Sequence, residues 1–170
     1  MISSLRAYKG IFILLELAKS LPEYEFCMVL GSTQKEVIQF KEKFKPTANI
    51  AIYSEQSNLH TFYQKADLIL NLTIPSLSIE SFGITILEGM TYGLPCIVPP
   101  IGGPLELVDN GINGFTIDSR DLDLLKKKII EILSNPTLYR TLSEKAIKKA
   151  ETFYQNKQIE MIIEDIKNIV

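Results

Sequence analysis

The chain has 170 residues, 46% hydrophobic and 22% charged, which suits one globular domain and excludes a disordered or low-complexity chain. Lys and Arg number 18 against 20 Asp and Glu, a net charge of −2. That balance excludes a protein that holds nucleic acid or an anionic membrane by bulk charge.

Ile2–Leu5 opens as a short strand, and Ile11, Leu14, Leu15, Ala18 and Leu21 then recur at helical spacing. The apolar run Ile11–Leu15 ends at Glu16, too short for a signal-peptide core or a membrane span, so a cytoplasmic chain is expected. Phe26–Leu30 reads as a buried strand, Thr33–Phe44 as a helix and Ile50–Tyr53 as a third strand. A short helix through Leu59, Phe62, Tyr63 and Ala66 leads to a fourth strand, Leu68–Leu72. Phe82–Tyr92 is expected to be helical and to stop at Gly93 and Pro95. Cys96–Val98, the short helix Leu105–Val108 and the strand Gly114–Ile117 follow. Helices Leu122–Leu133, Pro136 to about Phe153 and Ile159–Val170 close the chain.

This alternation predicts an α/β domain over 1–154: a doubly wound, mostly parallel sheet of about six strands with flanking helices. Ligands of such sheets bind beyond the carboxyl ends of the strands. Cys27 and Cys96 each lie in an apolar run and are expected to be buried free thiols. The chain contains no G-x-G-x-x-G, no P-loop and no G-x-S-x-G elbow. Its one histidine, His60, cannot build a His-rich metal site and is expected to play a structural part; no metal or resident cofactor is expected. Asn71-Leu72-Thr73 forms a glycosylation sequon at the end of an expected buried strand, and is read as chance.

From Pro46 to Asp118 the only Lys or Arg is Lys65, beside seven acidic residues. A phosphate bound there would need backbone N–H groups at a helix start and a cation from elsewhere in the chain. Arg6 and Lys9, just after the first strand, are placed to supply it.

The segment Ser78–Gly89 carries the chemistry. Glu80 or Ser81 can cap a helix whose first turn includes Gly83, and a glycine there lets a ligand approach the free N–H groups. Glu88 follows Glu80 by eight residues, a rotation of about 80° on a helix, so the two carboxylates do not form one acid–base pair. They suit two ends of a long ligand.

The spacing Glu80 to Glu88 resembles the E-x(7)-E motif of retaining glycosyltransferases with the two-domain GT-B fold, the glycosyl transferases group 1 family. The flanking Ala66-Asp67, Glu80-Ser81-Phe82-Gly83, Leu87-Glu88-Gly89-Met90, Gly93-Leu94-Pro95, Ile101-Gly102-Gly103-Pro104, Asn110-Gly111 and Asn113-Gly114 strengthen it. The resemblance spans about Ser3 to Asp118. It implies the nucleotide-sugar-binding, Rossmann-like half of such an enzyme, with a nucleotide-diphosphate sugar as donor and no metal. Glu80 would contact the donor sugar and Glu88 the ribose. Amides around Phe82, Gly83, Ile84 and Thr85 would receive sugar hydroxyls and phosphate, and Lys9 would neutralise the leaving diphosphate. Gly102 and Gly103 would let backbone approach the sugar, and the loop Ser54–Asn58 would border the base. The family often carries an arginine about five residues before that lysine; here Ser4 stands there, and Arg6 is the candidate substitute.

The resemblance also implies an N-terminal acceptor domain that these 170 residues lack, so the isolated chain is expected to bind without turnover. Polysaccharide assembly is the family's common setting, and the full enzyme admits peripheral membrane association. A nucleotide-sugar 2-epimerase half and a non-catalytic nucleotide-sugar-binding module are the alternatives. Ile159, Ile162, Ile163, Ile166, Ile169 and Val170 form a stripe at helical spacing. Segment 155–170 is therefore expected to pack on its own domain; the resemblance implies instead a helix that crosses to the acceptor domain, which without that partner would support weak self-association.

Overall fold

A computed structural model describes residues 1–155. Six strands alternate with helices: β1 (Ile2–Ser4), α1 (Ile11–Ser20), β2 (Phe26–Gly31), α2 (Gln34–Phe44), β3 (Ile50–Tyr53), α3 (His60–Lys65), β4 (Ile69–Leu70), α4 (Ile84–Thr91), β5 (Cys96–Val98), α5 (Pro104–Leu107), β6 (Gly114–Thr116), α6 (Leu122–Ser134) and α7 (Pro136–Gln155). The helix and apolar stripe expected over Ile159–Val170 lie outside the described residues.

All pairings are parallel. β2 is central in one three-stranded sheet, flanked by β1 and β3; β5 is central in the other, flanked by β4 and β6. Helices cover both faces. Cys96 and Val98 point into one core, with Tyr63 of α3, Ile86 and Met90 of α4, Leu107 of α5, and Ala146 and Ala150 of α7. Ile97, between them, points into the other, with Leu14 of α1, Phe40 of α2 and Ile129 of α6. This period-two alternation makes a short strand apolar throughout. Met28, Leu30, Leu70 and Ile97 share that second core, so one apolar layer runs beneath both sheets.

Three local departures have physical causes. β4 is two residues rather than five, because the Asn71 side-chain oxygen accepts the Thr73 N–H at 3.1 Å and turns the chain. α4 starts at Ile84, not Phe82: Gly83 sits at φ 97° in the left-handed region and becomes the N-cap, so neither Glu80 nor Ser81 caps the helix. Cys27 is exposed, whereas Cys96 is buried as expected; neither forms a disulfide. Phe26 and Met28 point into the core beneath the sheets, so Cys27 points the other way, toward a cavity of about 740 Å³ that Tyr53, Phe62 and Leu68 also line.

Candidate functional site: a cleft at the carboxyl ends of β1 and β4

A cleft of about 410 Å³ opens where β1 and β4 end. Ser3, Ser4, Lys9, Asn71, Thr73 and the stretch Glu80–Thr85 contribute to its lining. After β1 the chain makes a 3-10 turn at Ala7–Lys9, and Gly10 follows at φ 77°. A Cβ on Gly10 would run into the Leu72 carbonyl oxygen, so only glycine lets this turn lie against the end of β4. The Ile74 N–H donates to the Tyr8 carbonyl at 2.8 Å and ties the same two loops.

That docking carries Lys9 to Glu80. The Lys9 ammonium donates to Glu80 Oε2 at 2.7 Å, with both side chains one-fifth exposed. Thr73 Oγ1 and Asn71 Nδ2 donate to the same oxygen at 3.3 and 3.4 Å. Burial opposes ionisation of Glu80, but the Lys9 hydrogen bond and charge, with help from Asn71 and Thr73, outweigh it and hold the carboxyl below its ordinary value.

Beside this pair, α4 begins. The Ile86 and Leu87 N–H groups both donate to the Gly83 carbonyl, at 2.9 and 3.2 Å. The N–H groups of Ile84 and Thr85, at the helix start, have no intrahelical acceptor and line the cleft with the positive end of the helix dipole. Gly102 and Gly103 do not line it. A Cβ on Gly103 would run into Ser81 O and Phe82 Cα, and one on Gly102 would lie 2.6 Å from Glu80 O. The Gly103 N–H donates to Glu80 O at 2.8 Å. The glycine pair thus seats the Glu80–Phe82 loop.

Glu88 lies about one turn into α4 and outside the cleft lining. Its Oε2 accepts the Tyr63 hydroxyl at 2.6 Å. Arg6 is exposed and does not line the cleft. Glu36, lowered chiefly by hydrogen bonds from Thr33, also feels the Arg6 charge, which places Arg6 toward α2. The loop Ser54–Asn58 contributes nothing to the lining, and Ser54 donates to Gln34 at 2.8 Å. His60 has the structural part expected of it: Nδ1 lies 2.6 Å from the Tyr92 hydroxyl.

The sequence profile described as Glycosyl transferases group 1 matches residues 1–149. The chain belongs to the glycosyl transferases group 1 family. It is 42% identical over 82 residues to a sucrose synthase of Melioribacter roseus, covering 46% of this chain and 10% of that one. Its fold matches Anabaena HepE in complex with UDP and glucose, with TM-score 0.79 and 21% identity, over 96% of this chain and 48% of that one. It also matches the C-terminal domain of LpcC, a glycosyl transferase group 1 family protein of Francisella tularensis, with TM-score 0.71 and 18% identity, over 90% of this chain and 84% of that one. The chain spans less than half the length of the curated relatives it matches. Its fold is the Rossmann-like half of a GT-B transferase.

In this group 1 chain the polar surroundings of both glutamates escaped sequence reasoning. Asn71 and Thr73 stand at the carboxyl end of β4, where ligand-facing residues were expected, and in sequence they read only as a glycosylation sequon. Tyr63 read only as an apolar position of a short helix, although a tyrosine buried to 3% exposure needs a partner for its hydroxyl. No helix among the described residues is long and apolar enough to cross a membrane.

Proposed function

We propose that this chain is the donor-binding half of a retaining glycosyltransferase that uses a nucleotide-diphosphate sugar. One observation carries the reading: Lys9 and Glu80, 71 residues apart, meet at 2.7 Å beside the open N-terminus of α4. The sucrose synthase relative and the UDP and glucose of the HepE complex support the substrate class.

The residues divide the work by charge. The diphosphate sits on the Ile84 and Thr85 amides, where the helix start favours an anion, and Lys9 neutralises the charge that grows on the leaving phosphate. Glu80, ionised, accepts sugar hydroxyls. Glu88, on α4 beyond the cleft lining, accepts those of the ribose. Lys9 is held by Glu80 before the donor arrives and turns part of its hydrogen-bonding capacity to phosphate afterwards. The sugar passes to an acceptor, a growing polysaccharide or glycolipid, held by a second domain, with the anomeric configuration retained and without a metal, in the cytoplasm. His60 and Lys65 do not line the cleft, so no observation favours epimerisation.

Calorimetric titration with UDP-, GDP- and ADP-sugars, the free diphosphates and the nucleosides tests the donor site. At least one sugar nucleotide should bind, and its diphosphate should bind more tightly than its nucleoside. Absence of binding across the panel, with the protein folded, overturns the proposal. Anomeric coupling constants in product made by a chain that includes the second domain test retention.

A further inference from the structure

Glu88 projects from the middle of α4, away from the helix-start amides. Among the described residues its carboxylate accepts one hydrogen bond, from the Tyr63 hydroxyl at 2.6 Å. That phenol is fixed from several sides. Tyr63 is only 3% exposed, packed with Ile69, Ile86 and Met90. Its ring stacks on Tyr92 at 5.3 Å between centroids and 21° between planes. Tyr92 is in turn hydrogen-bonded to His60 and meets its ring edge-on. Burial first, then the hydrogen bond to Glu88, push the Tyr63 phenol far up, so it stays a neutral donor at every pH the enzyme meets. Gly89, the next residue along α4, lets the helix lie close on β4, since a Cβ there would stand 2.5 Å from the Ile69 side chain.

A free glutamate on a helix surface samples several rotamers and loses that freedom on binding a ligand. One whose Oε2 is already engaged has a set orientation, with Oε1 left to accept hydroxyls. We infer that Tyr63 is a positioning residue that sets the Glu88 carboxylate for the vicinal hydroxyls of the nucleotide ribose, and so fixes the preference for ribonucleotide over deoxyribonucleotide donors. This rests on the ribose role proposed for Glu88.

The test compares binding of UDP, GDP and ADP with that of their 2′-deoxy forms. The proteins are the wild type, Tyr63→Phe, Glu88→Gln and the double variant. Phenylalanine keeps the ring stack and removes only the hydroxyl, and thermal melting verifies that each variant folds. The wild type should prefer the ribonucleotide. Tyr63→Phe should weaken ribonucleotide binding by about tenfold, the scale of one charged hydrogen bond, and change deoxyribonucleotide binding less than about twofold. In the double variant Tyr63→Phe should add almost nothing to Glu88→Gln. Equal losses for both sugars in Tyr63→Phe, or an undiminished ribose preference, overturn the inference and leave the ribose role of Glu88 standing. A wild type that binds both sugars alike removes that role, and the inference with it.

Discussion

The ammonium of Lys9 lies 2.7 Å from the Glu80 carboxylate, across a gap of 71 residues in sequence. The segment that holds Glu80 has almost no positive charge of its own, so the docking of the turn after β1 against the end of β4 supplies it. Lys9→Ala should therefore act on two properties. It should weaken nucleoside diphosphate binding by about 1.5–3 kcal/mol, and nucleoside binding much less. Calorimetry on the folded variant checks this; equal losses for the two ligands would remove the phosphate contact.

The same pair makes stability depend on pH. The ordinary glutamate value is 4.5, and the folded Glu80 titrates below it. Between those two values the unfolded chain binds more protons than the folded one. The contribution of Glu80 is thus fully present above pH 4.5 and is lost as pH falls through the folded value. Carboxyl-detected NMR should show Glu80 titrating below 4.5 in the wild type. In Lys9→Met burial is opposed only by Asn71 and Thr73, so the titration should move upward. A Glu80 titration that ignores the substitution would show the pair to be broken in solution.

Gly10→Ala should destabilise the fold by about 1–3 kcal/mol, because an L side chain at φ 77° is strained. Its Cβ also meets the Leu72 backbone, which must give way. Denaturant melting measures the loss. Since the turn that holds Lys9 moves with Gly10, diphosphate affinity should fall in parallel, and an unchanged affinity would separate the turn from the site.

Gly103→Ala isolates the steric part of such an effect. Gly103 has φ −55°, which any residue adopts, so the only obstacle is the Ser81–Phe82 backbone beside it. The substitution should displace the Glu80 loop and reduce donor binding more than it reduces thermal stability. The opposite ranking would mean that the loop yields without moving Glu80.

The alternation of strands and helices was readable because α1 is apolar at a period of 3.6, whereas β5, buried on both faces, is a short continuous apolar run. Lys9 was placed with the helix-start segment from the sequence by its position after the first strand, but Arg6, placed there by the same reading, stays outside the cleft. What was not readable depends on left-handed backbone and on distant contacts. Gly83 stops α4 short of Phe82 only because of its φ. Gly102 and Gly103 pack on a loop some twenty residues earlier in the chain. The Tyr63 bond to Glu88 spans 25 residues and two helices, and neither residue signals the other in sequence.

β2 has six residues and β1 three, so Phe26 and Cys27 have β3 on one side and no paired strand among the described residues on the other. The Cys27 thiol opens onto the space between the two sheets, while Cys96 is sealed in the core. A thiol reagent should label Cys27 in the native protein and Cys96 only on unfolding, and labelling of both at one rate would contradict the burial difference. The chain thus carries its own chemical gauge. The rate at which Cys27 reacts, read against Cys96 as an internal reference, reports whether that seam is open or filled in any preparation of the protein.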